Sequence, residues 1–353
     1  MMAYETLRWT GGMDGCLELL DQRKLPHIAE YIRCSSVGQV CEAIRTLAVR
    51  GAPAIGVAAA YGMVLALHDA AAKDAATALM AVESAAASLK ATRPTAVNLF
   101  HAVERMRKCA AAAGQTEGAD TDRMREAMLS RAEAIRLEDA GICRRIGLNG
   151  ERLIPEGGAV LTHCNAGALA TAGCGTALAP MFEARKRGRC FSVYVDETRP
   201  LFQGARLTAW ELMEAGIEAT LICDSAAGWL MKQGRIAAVF AGADRIAANG
   251  DAANKVGTYS LSILARASGI PFYIAAPSTT FDMAAATGSD IPIEQRDEAE
   301  VTSLANIRIA PKGVKVYNPA FDVTDAANIT AIITETGVIE RPDIARIAAH
   351  FGH

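Results

Sequence analysis

At 353 residues the chain is longer than one hydrophobic core usually serves, so two domains are the expectation. Hydrophobic residues make up 51% and charged residues 21%, which supplies material for buried cores and argues against a disordered chain. A formal net charge of -3 and a pI near 6.1 give no electrostatic footprint for nucleic acid or an acidic membrane surface, so neither partner is expected.

The first residues, "MMAYETLRWTGG", carry an early Glu and no apolar core of a secretory signal, so a cytosolic location is expected. Residues 1 to 35 read as short strands and turns, "CLELLDQRKLP" among them. From Ser36 to Asn149 the apolar spacing is helical. There "SVGQVCEAIRTLAV" opens with Ser36 and Gln39 in capping-box positions, and "DRMREAMLSRAEAIRLEDAGICRRIGLNG" repeats apolar residues three and four apart. The uncharged run "GAPAIGVAAAYGMVLAL" is shorter than the roughly 20 residues of a membrane span and predicts a buried soluble helix. The polar "AAGQTEGADTD" reads as an interhelical loop.

After "IPEGG" the style changes to short apolar runs: "AVLTH", "CFSVYVDE", "EATLICD", "IAAVFAGAD", "PFYIAAPS" and "VKVYNPAFDVT". Helix-like segments separate the first five, which is the pattern of a parallel sheet with crossover helices. The fold class is therefore α/β, with a small, mainly helical domain over residues 1–150 and a sheet domain over 151–353. With a strand order of 3-2-1-4-5-6, the first and fourth runs lie side by side at the reversal of order, where ligands bind. Cys164 and Asp244 then follow adjacent strands.

In "VLTHCNAGALAT" the cysteine falls between a strand and an expected alanine-rich helix. A thiol at a helix N-terminus is acidified by the free amides and partial positive charge there; the alternative is a small buried hydrophobe. His163 points away from it by strand alternation and reads as a hydrogen-bonded structural histidine. Asp244, in "VFAGADRIAANGD", is either a helix cap or Asx-turn, or a carboxyl in a dry pocket acting as a general acid or base. In "VRGAPAIG", the residues Arg50, Gly51 and Ala52 precede Pro53 in a first helical turn and form either a plain tight turn or an anion site. Arg93, before a Pro-initiated helix, is similar, and Asn254 and Lys255 begin a predicted helix, as sugar ligands or as a solvated turn.

Other templates are missing. No strand leads into G-x-G-x-x-G and no G-x-x-x-x-G-K-[ST] occurs, so a dinucleotide-dependent oxidoreductase and a P-loop enzyme are weak readings. Nine cysteines without a C-x-x-C pair read as reduced thiols, and six dispersed histidines show no ligand spacing, so no metal is expected.

The stretches "VRGAPAIGVAAAYG", "VLTHCNAGALAT", "VDETRPLFQGARLTAWEL", "AGADRIAANGDAANKVGTY", "FYIAAPSTTFD" and "VYNPAFDVT", with "LDQRKLP" near the start, closely resemble the methylthioribose-1-phosphate isomerase family of methionine salvage. The likeness spans nearly the whole chain. The wider superfamily also holds ribose-1,5-bisphosphate isomerases, deoxyribose-1-phosphate isomerases and regulatory subunits of a eukaryotic guanine-nucleotide exchange factor. The resemblance implies a Rossmann-like C-terminal domain, a homodimer, a sugar phosphate as small-molecule partner, and no metal or nucleotide cofactor. It puts the essential cysteine on Cys164, the proton donor on Asp244, and substrate binding on Arg50, Gly51, Ala52, Arg93, Gln203, Asn254 and Lys255. The implied reaction turns cyclic 5-methylthioribose 1-phosphate into the open-chain ketose phosphate. The alternatives are isomerisation of 5-deoxyribose 1-phosphate or ribose 1,5-bisphosphate, or a non-catalytic sugar-phosphate or nucleotide sensor.

With Arg50 and Arg93 in the first domain and Cys164 and Asp244 in the second, the expectation is one site completed by both and closing on substrate. Arg50→Ala is expected to raise KM strongly through a lost phosphate contact. Steady-state kinetics of Arg50→Ala and Arg93→Ala check this, and an unchanged KM in both means that the phosphate is held elsewhere.

Overall fold

A computed structural model describes residues 4–68, 74–93, 96–116, 118, 120–305 and 307–352. Met1, Met2 and Ala3 of the N-terminus, Pro94 of the expected Pro-initiated helix, and Glu117 and Ala119 of the expected loop lie outside them. The chain divides into two compact units, Met1–Cys143 with Ala168–Gly175, and Arg144–Gly167 with Thr176–His353.

In the first unit, strands β1 (Leu7–Thr10), β2 (Cys16–Leu20) and β3 (Tyr31–Cys34) form an antiparallel sheet in that order. The helices are α1 (Val37–Arg45), α2 (Ala52–Leu65), α3 (Ala75–Lys90), α4 (Val97–Gly114) and α5 (Thr121–Gly150), whose last turns pass into the second unit. Ser36 Oγ accepts from Gln39 N at 3.4 Å, but the Gln39 carboxamide returns to Ser35 N at 2.7 Å, one residue before a strict capping box. Every residue of α2 from Ala54 onward is buried, as an all-apolar helix requires, and the sheet and the other helices pack around it. No helix among the described residues is long and apolar enough to cross a membrane.

The alanine-rich segment after Cys164 is not the expected helix. A single 3-10 turn at Ala168–Ala170 is followed by irregular chain up to Leu178, because Gly173 and Gly175 interrupt it and Thr171 Oγ1 accepts from both of their amides at 3.1 Å. Residues Ala168–Gly175 belong to the first unit, where Ala172 N donates to Asp139 Oδ2 on α5 at 2.6 Å.

The second unit holds the parallel sheet. Its strands and helices run β4 (Ala159–Thr162), α6 (Ala179–Lys186), β5 (Ser192–Asp196), α7 (Ala209–Glu214), β6 (Glu218–Ile222), α8 (Ala227–Lys232), β7 (Ala238–Ala241), β8 (Arg245–Ala247), β9 (Ala252–Lys255), α9 (Thr258–Ala267) and β10 (Phe272–Ala275). Then come β11 (Phe281–Asp282), α10 (Ala299–Thr302), β12 (Ser303–Leu304), β13 (Ile307–Arg308), β14 (Phe321–Thr324), β15 (Ala331–Thr334), β16 (Gly337–Glu340) and α11 (Ile344–Phe351). The main sheet has the order β16-β15-β10-β7-β4-β5-β6, parallel except for β16. Taking β4 as the first strand, this is the order 3-2-1-4-5-6 with an antiparallel edge strand added.

The sixth parallel strand is β15, not the run "VKVYNPAFDVT". Asn318 and Pro319 break that run, and only Phe321–Thr324 extends, pairing antiparallel with β9 in a second sheet of order β11-β8-β9-β14. The true strand was legible as the β-branched "ITAIIT" at residues 329–334, turning back through Gly337.

Burial pushes the Asp139 carboxyl up to about 6, with the hydrogen bond from Ala172 N pulling the other way. The folded chain therefore keeps this proton up to about pH 6, whereas the unfolded chain releases it near its ordinary value of 3.8. Stability falls as pH rises through that window and is flat above it. Asp139→Asn is expected to remove this component: thermal unfolding between pH 4 and 6.5 is then less pH-dependent than in wild type, whereas parallel curves for the two proteins would contradict it.

Candidate active site

The reversal of strand order lies between β4 and β7, whose register pairs Thr162 with Phe240. Beyond those strand ends stand the two sequence-predicted catalytic residues. Cys164 has left-handed backbone with φ 61°, a conformation that costs a non-glycine residue about 1–3 kcal/mol unless its surroundings over-determine it. Two threonines do so. Cys164 N donates to Thr198 Oγ1 at 2.9 Å, and Thr208 Oγ1 donates to Cys164 O at 2.6 Å. Both threonines are fully buried.

Each threonine is itself held. Thr198 also has positive φ, 65°, and Asp224 accepts from Thr198 N at 2.7 Å and from Arg199 N at 2.8 Å. Asn165 Nδ2 donates to Thr208 Oγ1 at 3.0 Å and to buried Glu211 Oε2 at 2.7 Å, so the residue after the cysteine is tied to α7. No α-helix begins at Cys164, so the expected acidification by a helix end has no basis here. The thiol is half-buried, presented by a pinned turn.

His163 is buried, with Nδ1 3.0 Å from Asp196 Oδ2 and Nε2 3.0 Å from the Val256 carbonyl. A carbonyl only accepts, so Nε2 carries hydrogen. Burial disfavours the charged ring, but the Asp196 hydrogen bond and charge outweigh it and lift His163 above its ordinary value. Burial likewise raises the Asp196 carboxyl, against the pull of His163. His163, Asp196 and Asp224 could each offer an atom to a metal, all within 4.8 Å of one another. Both ring nitrogens and both Asp224 oxygens are already engaged in hydrogen bonds, so the cluster is built as a tie between strand ends.

Across the reversal, Asp244 is half-buried, and its N–H donates to Ala253 O on β9 at 2.9 Å. Strand β8 follows at once, so the helix-cap reading of Asp244 falls. Gly242 passes close to the cysteine loop: a Cβ there would lie 2.9 Å from Ala166 Cβ and 4.0 Å from Asn254 Oδ1. Asn254 and Lys255 do not begin a helix; they end β9 and are buried rather than solvated. Asn254 Nδ2 donates to Thr258 Oγ1 at 2.9 Å; Lys255 Nζ donates to Ala320 O at 2.9 Å and lies 4.8 Å from the Phe321 ring centroid. Gln203 precedes a π turn at Gly204–Thr208, and its Oε1 is buried with no hydrogen-bond partner among the described residues.

In the first unit, Gly51 caps α2 with φ 94° and offers no side-chain acceptor to the helix amides. A Cβ at Gly51 would sit 2.5 Å from Ala170 Cα, so only glycine allows this approach. Arg50 Nε donates to Gln22 Oε1 at 3.0 Å. Arg93 follows α3, its carbonyl accepting from Ala96 N at 3.1 Å. Sequence reasoning missed Thr198, Thr208, Asn165, Glu211 and Asp224. All of them lie within the quoted stretches, where no residue type announced a backbone-locking role.

The sheet and the paired strand-end residues define an α/β chain with a thiol and a carboxyl across its switch point. The chain belongs to the initiation factor 2 subunit family, whose sequence model matches residues 48–341. Among its relatives, the methylthioribose-1-phosphate isomerase of Pelotomaculum thermopropionicum is 56% identical over 96% of this chain and 92% of its own length. The 5-deoxyribose 1-phosphate isomerase of Moorella thermoacetica is 51% identical over 98% of this chain and 99% of its own. The crystal structure of 5-methylthioribose 1-phosphate isomerase from Pyrococcus horikoshii superposes with a TM-score of 0.91 at 42% identity, covering 99% of this chain and 96% of that one.

Replacing Thr198 by valine leaves the Cys164 N–H without its acceptor, at a cost of about 1–3 kcal/mol. The expected outcome for Thr198→Val is a lower unfolding midpoint together with a kcat about tenfold below wild type and little change in KM. Denaturant titration and steady-state kinetics measure both, and wild-type kcat would show that the turn does not need this lock.

Proposed function

We infer that the protein is an aldose–ketose isomerase acting on a 5-substituted ribose 1-phosphate, with 5-methylthioribose 1-phosphate as the substrate and its open-chain ketose 1-phosphate as the product. The observation that carries this is the pairing of Cys164 and Asp244 on loops after the two strands that flank the reversal of order. Buried Gln203, Asn254 and Lys255 supply polar groups in the same unit for the sugar. Arg50, the turn at Gly51 and Ala52, and Arg93 are assigned to the phosphate. The reading includes a homodimer acting in the cytosol without a metal or nucleotide cofactor, supported by the long motif resemblance.

A phosphate on the anomeric oxygen prevents simple opening of the ring to a free aldehyde. Asp244 gives its proton to the ring oxygen, and the C1–O bond of the ring breaks. The hydrogen on C2 then passes to C1, and the proton that the 2-hydroxyl releases as the C2 carbonyl forms restores the Asp244 carboxyl. Cys164 either takes the hydrogen as a proton and returns it, or controls charge while it moves as a hydride.

The test offers the purified protein 5-methylthioribose 1-phosphate, 5-deoxyribose 1-phosphate and ribose 1,5-bisphosphate without added cofactor. Ketose phosphate is expected from the first at the highest kcat/KM. Turnover of none would favour a sugar-phosphate or nucleotide sensor on the same fold. Asp244→Asn is expected to lower kcat by at least the roughly 10²-fold of a lost general acid, with KM little altered. Substrate deuterated at C2 is expected to keep its label in ordinary water, and complete washout would identify proton abstraction instead.

A further inference from the structure

The stretch "LDQRKLP" follows β2, and nothing so far gives it a task. Its Gln22 is buried, at 2% exposure, and its carboxamide is used at both ends. Oε1 accepts from Arg50 Nε at 3.0 Å, and Nε2 donates to Leu169 O at 2.7 Å. The backbone at Gln22 is fixed as well, its N–H donating to Ala48 O at 3.0 Å, two residues before the arginine. The acceptor Leu169 lies in the 3-10 turn at Ala168–Ala170, and the next residue, Ala170, is the one against which Gly51 packs. That turn is held from two further sides: Thr6 Oγ1 donates to Ala168 O at 2.7 Å, and Ala172 N donates to Asp139 at 2.6 Å.

We propose that Gln22 is a positioning residue for the phosphate site: its carboxamide fixes the Arg50 guanidinium against the 3-10 turn that begins four residues after Cys164. The inference rests on the reading of Arg50 as a phosphate ligand. An arginine holds an anion well only when its planar fork is already aimed, because the freedom of a long side chain is otherwise lost on binding. The Nε donor of the fork is taken by Gln22 Oε1, which sets the plane of the guanidinium. Because Gln22 is anchored to Leu169 O, the aim of the arginine is tied to the segment that Thr6 and Asp139 also hold.

The test is a double-mutant cycle between Gln22→Met, which keeps length and burial without hydrogen bonds, and Arg50→Ala, read as KM and kcat for the isomerisation. Gln22→Met is expected to raise KM about tenfold with kcat within about threefold of wild type, and to add less than about twofold in the Arg50→Ala background. Gln22→Glu, which still accepts from Arg50 but cannot donate to Leu169, is expected to fall between wild type and Gln22→Met. It serves as the reporter if the methionine variant does not fold. An equal KM increase in both backgrounds, or no increase while Arg50→Ala does raise KM, overturns the positioning role alone. A wild-type KM in Arg50→Ala overturns the phosphate reading of Arg50 and this inference with it.

Discussion

The left-handed turn at Cys164, locked by the hydroxyls of Thr198 and Thr208, is the constraint on which the presentation of that side chain depends. A cysteine does not hold that conformation by preference, so its thiol points where it does only while both hydroxyls stay in place. The hydroxyls are positioned by the sheet. β5 pairs with β4 residue for residue as far as Thr162 and Val195, which brings the loop carrying Thr198 alongside the cysteine turn. The π turn after Gln203 then delivers Thr208 from the other side.

Around this turn the protein buries polar groups that are costly to remove from water, and it ties several of them to neighbours. Asn165 reaches Thr208 and Glu211, His163 reaches Asp196 and the Val256 carbonyl, and Asp224 takes two loop amides. The result is stiffness obtained from side-chain to backbone bonds where the sequence pattern had suggested a helix terminus. Rigid support of this kind limits reorganisation when charge moves in the reaction.

Most of the architecture was readable because periodicity reports burial directly. The all-apolar α2 and the short apolar runs that became β4, β5, β7 and β10 left little choice of fold. Three features were hidden for physical reasons. The alanine-rich stretch after Cys164 has helical propensity, but Thr171 captures the glycine amides that a helix would need. Lys255 looked solvated because charged residues near glycine usually are; its burial rests on Ala320 O and the Phe321 ring, which arrive from a distant strand. The roles of Thr198 and Asp224 arise from long-range pairing, to which local pattern is blind. Of the candidate site, the placement of Cys164 and Asp244 after adjacent strands was legible, while the groups that hold the Cys164 turn were not.

The return of Ala168–Gly175 to the first unit has a consequence for how the protein can be made and cut. A fragment stopping at Cys143 lacks Ala168 O, Leu169 O and Ala172 N, so Thr6, Gln22 and Asp139 would each lose a hydrogen-bond partner supplied by that segment. On the ribosome the same shortage lasts until the chain has grown past Gly175, by which time β4 of the following unit has already been synthesised. The smaller unit is therefore completed by residues encoded within the larger, and no single scissile point yields two self-sufficient halves.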